Sequence, residues 1–264
     1  MTEADTRLDA LDRYLAPSLL VPFADDMARR LSRISMGPLL EIAAETGVLT
    51  QSIASTMSAG MIIIATDPDP DMVAHAQARP GVARVTFQQA DPAALPFADA
   101  TFGIVACHFG VVAMPDRRGA FLEARRVMKP GARFVFSLPA HIRHNPVADC
   151  LHDALTARLP ADPPTFLVRT LHGYADNDRV DDDLTAAGFT DAIYTSVELP
   201  YVAACARDAA LGYCLGSGLR PELEARAPGD IASVIQAAAA ALQQRFGSGP
   251  IETTMRAHIV SAAG

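Results

Sequence analysis

The first 15 residues, MTEADTRLDALDRYL, are charged throughout and lack the apolar centre of a secretory leader. No apolar stretch approaches the roughly 20 residues that a membrane span needs. MIIIA at 61–65 is far too short and reads as a buried strand. Basic residues do not accumulate either. The longest runs are pairs such as Arg29-Arg30, Arg117-Arg118 and Arg125-Arg126, read as solvated helix faces, and the formal net charge is -8. That balance excludes the electrostatic footprint of a nucleic-acid or anionic-membrane binder. The four cysteines, Cys107, Cys150, Cys205 and Cys214, show no C-x-x-C spacing and read as buried free thiols in a reducing, cytoplasmic compartment. No internal repeat is present. His141 and His144 have H-x-x-H spacing but no third ligand in view, so no metal site is expected. His75, His152, His172 and His258 stand without supporting context.

What remains is a chain of 264 residues, half of them hydrophobic, enough for one large domain or one domain with a cap. Residues 1–35 read as two short helices, with Leu8, Leu11 and Leu15 on one face and Pro17 and Pro22 as punctuation. From 38 to 137 strands alternate with helices. The strands are PLLEIA, MIIIAT, RVTFQQA, FGIVAC and ARFVFSL, several of them continuous apolar runs as in strands covered on both faces. Helices start near Leu49, Asp69 and Asp116. This alternation predicts an α/β fold, a doubly wound and mostly parallel sheet. Beyond Pro139 a looser segment holds a helix near 148–158. DNDRVDDDLTAAGF then predicts a helix ending at Gly188, TDAIYTSVELPYV a strand, 203–246 more helix, and IETTMRAHIVSAA a last strand.

Ligands of open parallel sheets sit beyond the carboxyl ends of the strands, near the switch in strand order. Three such ends carry telling residues. EIAAETG places Glu41 late in the first strand and Gly47 at the start of a helix. IIIATDPDPDM ends the second strand on Asp67, about 20 residues on, the spacing of an acid that takes hydrogen bonds from a ribose diol. FQQADPAALPF puts Asp91 just past the third strand, where a carboxylate could bind an exocyclic amine of adenine. Each alone is more often a turn residue or helix cap; the signal is their order. A dinucleotide is disfavoured, because AAETGVLT has one glycine and sets a carboxylate where phosphate charge would lie.

These segments resemble the class I S-adenosylmethionine-dependent methyltransferases, most of all the UbiE-like small-molecule branch. The likeness runs from about 36 to 137, through LLEIAAETG, ATDPDPDMVAHA, QQADPAALPFADATFGIVACHFGVVAMPD and EARRVMKPGARFVFS, and more loosely to the end. It implies a Rossmann-like seven-stranded sheet with an antiparallel last strand and helical cap segments. It divides the chain into an N-terminal helical lid (1–35), a cofactor-binding core (36–140), and cap insertions with the C-terminal strands of the same domain (141–264). The implied cofactor is S-adenosylmethionine. By position, Asp67 would hold the ribose with Asp69 and Met72 nearby, and Ala90 and Asp91 would flank the adenine. Cys107 and His108 would line the pocket floor, and Glu41, Ala43, Glu45 and Gly47 would form the turn.

One position departs from the family pattern: Glu45 replaces the first glycine of the G-T-G turn. A glycine there adopts positive φ without penalty and leaves room for the ligand. Glu45 could swing to solvent, pair with the methionine ammonium, or block the methionine end. The expected function is methyl transfer to a small, largely apolar acceptor of phenolic, quinone-like or secondary-metabolite type, with His108 as the candidate base or orienting group. The competing expectation is a repurposed fold: non-catalytic binding, or isomerase or cyclase chemistry. The partner is expected to be the small-molecule acceptor, with neither nucleic acid nor membrane, and the C-terminal cap leaves a homodimer open.

Overall fold

The computed structural model describes residues 6–264. Three helical segments open it: α1 (Arg7–Ala10), a π-helical stretch (Leu11–Leu20) and α2 (Val21–Leu31). Then come β1 (Leu39–Glu41), α3 (Val48–Thr56), β2 (Ile63–Asp67), α4 (Pro70–Gln77), β3 (Val85–Gln89), β4 (Phe102–His108), α5 (Arg117–Val127) and β5 (Met128–Pro139). The remainder is α6 (Pro146–Arg158), a π-helical turn (Leu167–Leu171), α7 (Asn177–Ala186), β6 (Thr190–Ala203), α8 (Ala206–Gly216), α9 (Leu219–Arg226), α10 (Ile231–Phe246) and β7 (Ile251–Ala263). No helix among the described residues is long and apolar enough to cross a membrane.

The strands form one seven-stranded sheet in the order β3-β2-β1-β4-β5-β7-β6. β1 pairs in parallel with β2 and with β4, and β5 runs parallel to β4. β7 is antiparallel to β5, from Arg133 opposite Ala263 to Pro139 opposite Ala257. The strand order reverses between β1 and β4, so the crevice for a ligand opens at their carboxyl ends. β1 and β4 are buried at every position, which explains why they read as unbroken apolar runs rather than alternating ones.

The helix starts are set by local chemistry. Asp69 caps α4, its side chain accepting the Asp71 N–H, and Pro70 follows at the first helical position. Asp116 caps α5 through the Gly119 N–H. The N-terminal expectation is corrected: residues 7–31 form one continuous helical run, not two short helices. Pro17 has no N–H to give and its ring crowds the preceding turn. The π-type widening accommodates it, with the Val21 N–H reaching back to the Ala16 carbonyl.

Two compact units emerge. One comprises Met1–Pro22, Ala140–Gly173 and Glu198–Arg256; the other Phe23–Pro139, Tyr174–Val197 and Ala257–Gly264. The first is mainly helical. A Cβ on Gly216 would lie 2.7 Å from the Leu11 Cα, and one on Gly212 would lie 3.0 Å from the Leu15 N. Two glycines four residues apart thus let α8 lie backbone to backbone against the N-terminal helix. The second unit holds the sheet. Its core includes Phe121, Phe134 and Phe136, with ring centroids 4.8–5.5 Å apart, and Phe189 packed on Phe134.

Candidate cofactor site

The site is built from the six-residue turn, 42–47, between β1 and α3. Its register is fixed by three backbone bonds: Ile42 N–H to Ala106 O, Ala44 N–H to Thr66 O, and Gly47 N–H to Ala44 O, each 2.8–2.9 Å. Every second residue lies in the left-handed region: Ala43 at φ 51°, Glu45 at 46° and Gly47 at 77°. Only Gly47 adopts this without a side-chain penalty; each of the others costs on the order of 1 kcal/mol. The departure from glycine therefore extends to two residues, Ala43 and Glu45, where the sequence drew attention to one. A compensation for the Ala43 methyl is visible across the crevice. A Cβ on Gly110 would fall 2.8 Å from the Ala43 Cβ and 2.9 Å from the Cys107 Sγ, so the bare backbone at 110 makes room for it.

Asp67 holds this turn. Its Oδ2 accepts the Glu45 N–H at 2.8 Å and its Oδ1 accepts the Asp69 N–H at 3.0 Å. The residue is 5% exposed. Arg79, just beyond α4, braces the other side: Nε donates to the Thr46 carbonyl and Nη2 to the Thr46 hydroxyl.

Glu41 closes β1 and is 1% exposed. Burial, reinforced by the Asp67 charge, pushes its carboxyl up to about 8 although the Thr50 hydroxyl donates to Oε2 at 2.6 Å. It is therefore mostly protonated at neutral pH. Cys107 in β4 is fully buried and its thiol is pushed far up, first by burial and then by Glu41, with Glu45 adding to it. Glu45 is half-buried, and its charge is felt at Cys107.

His108 ends β4, 8% exposed, with Nδ1 2.8 Å from the Ser137 Oγ. Ser137 also accepts the Phe109 N–H at 2.9 Å, and the His108 ring stacks on Phe109. The imidazole is held in a fixed plane by β5. Ala90 is buried and its N–H bonds the Asp67 carbonyl at 3.0 Å, tying the ends of β2 and β3 together. Met72 is buried in α4. Asp69 and Asp91 are exposed and each spends one oxygen locally, on Asp71 N–H and Ala93 N–H. No group of three or more His, Cys, Asp or Glu able to hold a metal occurs among the described residues.

Of the residues picked from sequence, Glu45 and Asp67 meet directly, while Glu41, Asp67 and Cys107 interact through charge and burial. Thr50, Arg79 and Ser137, which support them, were not picked. Arg79 and Ser137 pair with residues about 30 positions away, at 33 and 29, and Thr50 with Glu41 nine positions away.

Comparison with known proteins agrees with this geometry. Residues 40–136 match the family model described as a methyltransferase domain. The ubiquinone/menaquinone biosynthesis C-methyltransferase UbiE of Shewanella oneidensis is 26% identical over 172 residues, covering 60% of this chain and 68% of that protein. Among solved structures, YcgJ of Bacillus subtilis superposes with a TM-score of 0.56 at 17% identity, over 92% of this chain and 98% of its own. The [4+2]-cyclase SpnF has a TM-score of 0.53 at 18% identity, over 90% and 78%. Domain match, UbiE likeness and the seven-stranded sheet with its antiparallel β7 agree: residues 40–136 match a methyltransferase domain, the fold is the Rossmann-like one of the methyltransferase structures, and the chain is similar to the UbiE-like class I S-adenosylmethionine-dependent methyltransferases.

Proposed function

We propose that this protein binds S-adenosylmethionine at the carboxyl ends of β1, β2 and β3 and transfers its methyl group to a small, largely apolar acceptor. One observation carries the reading: the turn after β1 is locked to a buried Asp67 that ends β2, an acid at the spacing of one that takes hydrogen bonds from a ribose diol. The residues fit the cofactor. Asp67 matches a ribose diol, Ala90 and Asp91 follow β3 where adenine would lie, and the Glu45 carboxylate suits the methionine ammonium. When bound, S-adenosylmethionine supplies an electrophilic methyl on a sulfonium with a good leaving group. The chain's own part is then alignment and exclusion of water. His108, fixed by Ser137, presents its ring at the end of β4 to orient the acceptor. The UbiE likeness supports a small molecule as substrate.

Glu45→Gln is expected to weaken S-adenosylmethionine binding about tenfold, as for loss of one charged hydrogen bond, while leaving adenosine binding unchanged. Adenosine lacks the ammonium and serves as the internal control. Titration calorimetry on both ligands decides it: tighter S-adenosylmethionine binding in the variant would mean that Glu45 obstructs the methionine end.

A second reading is favoured by the two non-glycine residues at positive φ in the turn: the fold is retained but its chemistry is of isomerase or cyclase type. Product analysis separates the two. Formation of S-adenosylhomocysteine during turnover supports methyl transfer. Turnover with S-adenosylmethionine left intact supports the second.

A further inference from the structure

The segment that follows β4 is strained and strapped down at both ends. Phe109 lies in the left-handed region, at φ 54°. A residue with a side chain stays there only where its surroundings over-determine it, and such residues gather at active sites and ligand clamps. On the β4 side the Phe109 N–H donates to the Ser137 Oγ at 2.9 Å. The backbone N–H groups of Val111 and Gly110 reach the Cys107 thiol. On the far side the chain makes a 3-10 turn, Gly110–Val112, and one arginine takes its carbonyls. Arg117 Nε donates to the Val111 carbonyl at 2.9 Å and Nη2 to the Val112 carbonyl at 3.4 Å. Its pairing with Arg118 suggested a solvated helix face, yet Arg117 is half-buried. It is also braced. The guanidinium carbon lies 3.8 Å from the centre of the Tyr174 ring, inside the range of a cation–π contact. Tyr174 is 2% exposed, and its hydroxyl donates to the Asp183 Oδ2 in α7 at 2.6 Å, which fixes the ring. Burial pushes the Arg117 guanidinium down from its ordinary value; Tyr174 opposes this, nearby Arg179 adds to it, and Asp183 opposes it again. The ring and the carboxylate thus sustain a partly desolvated cation. Gly110, which opens the strapped turn, is the bare backbone against which the Ala43 methyl of the cofactor turn fits.

We propose that Arg117, braced by Tyr174, is a positioning residue for the cofactor site: it holds the strained segment 109–112 in the shape that seats Ala43, and so sets the turn after β1 for S-adenosylmethionine. It acts through Gly110 and Ala43. Tyr174, Arg117, Gly110 and Ala43 all lie in the unit that holds the sheet. The role requires an arginine, because a planar fork can stack on a ring and donate to two carbonyls at once, and a lysine ammonium cannot. The inference rests on the S-adenosylmethionine reading and deepens it by naming a device that shapes that site from α5.

The test uses the full chain and S-adenosylhomocysteine. In the wild type the His108 ring stacks on Phe109 with centroids 4.4 Å apart, so its carbon-bound protons should resonate upfield of an ordinary histidine's. Arg117→Lys and Tyr174→Leu should release the segment: the His108 signal moves back toward its ordinary position, and S-adenosylhomocysteine affinity falls about fivefold. Tyr174→Phe keeps a ring under the guanidinium and should hold the His108 signal in place, with affinity within about twofold of the wild type. Calorimetry reads the affinities and thermal melts confirm that each variant is folded. A role in packing alone would lower the melting temperature and leave the His108 signal where it is. The wild type gives an independent reading that needs no variant. Coupling is reciprocal, so bound S-adenosylhomocysteine should slow the solvent exchange of the Arg117 Nε–H. An exchange rate that the ligand leaves unchanged overturns the proposal, as does an Arg117→Lys variant with wild-type affinity and an unmoved His108 signal. Failure of the wild-type chain to bind S-adenosylhomocysteine would count instead against the S-adenosylmethionine reading. The His108 signal, read without ligand, then still decides whether Arg117 holds the segment.

Discussion

Replacing Glu41 by Gln should leave stability at pH 5 within about 1 kcal/mol of the wild type and raise it by several kcal/mol at pH 9. The folded carboxyl titrates near 8 against an ordinary value of 4.5. Below 4.5 both folded and unfolded chains hold the proton and the group costs nothing. Between 4.5 and 8 the unfolded chain has released it and the folded chain has not, so stability falls as pH rises. Above 8 the full penalty applies, 3.5 pH units from the same two values, or about 5 kcal/mol at 1.36 kcal/mol per unit. Gln keeps the shape and accepts from the Thr50 hydroxyl, but cannot ionise. Urea unfolding of both proteins at pH 5, 7 and 9 reads the effect. Parallel stability curves across that range would show that Glu41 titrates normally.

The second large effect concerns Asp67. Asp67→Ala is expected to cost roughly 3 kcal/mol of stability, because the part-buried hydrogen bonds from the Glu45 and Asp69 N–H groups both lose their charged acceptor. Asp67→Asn is gentler on the fold, since its amide oxygen retains one of these bonds. It should still lower S-adenosylhomocysteine affinity about 100-fold, because a donor NH2 then faces part of the ribose diol. Chemical denaturation separates the first effect and calorimetry the second. An Asn variant that binds as tightly as the wild type would remove Asp67 from the ligand site.

The centre of the sheet was legible because β1 and β4 are buried at every position. LLE and FGIVACH are apolar runs with nothing polar to interrupt them until the carboxylate or imidazole at the end. Asp69 and Asp116 were legible as helix starts because capping is a local act, completed within three residues. Asp67 was legible from its distance after the turn. The supporting shell was not. Arg79 meets Thr46 across 33 residues and Ser137 meets His108 across 29. No local pattern announces such pairs. Pro17 misled for the opposite reason. Local propensity ends a helix there, yet the packed run continues through it by widening to π geometry. Glu45 stood out as a missing glycine, but Ala43 did not, because only the backbone shows that it shares the same strained region.

The most direct test of the account is a crystal structure of the protein with S-adenosylhomocysteine. The ribose hydroxyls should lie within hydrogen-bond distance of the Asp67 carboxylate, with the adenine beside Ala90 and Asp91 and the amino-acid end toward Glu45. A nucleoside bound elsewhere, or a site that stays empty at millimolar ligand, would contradict it.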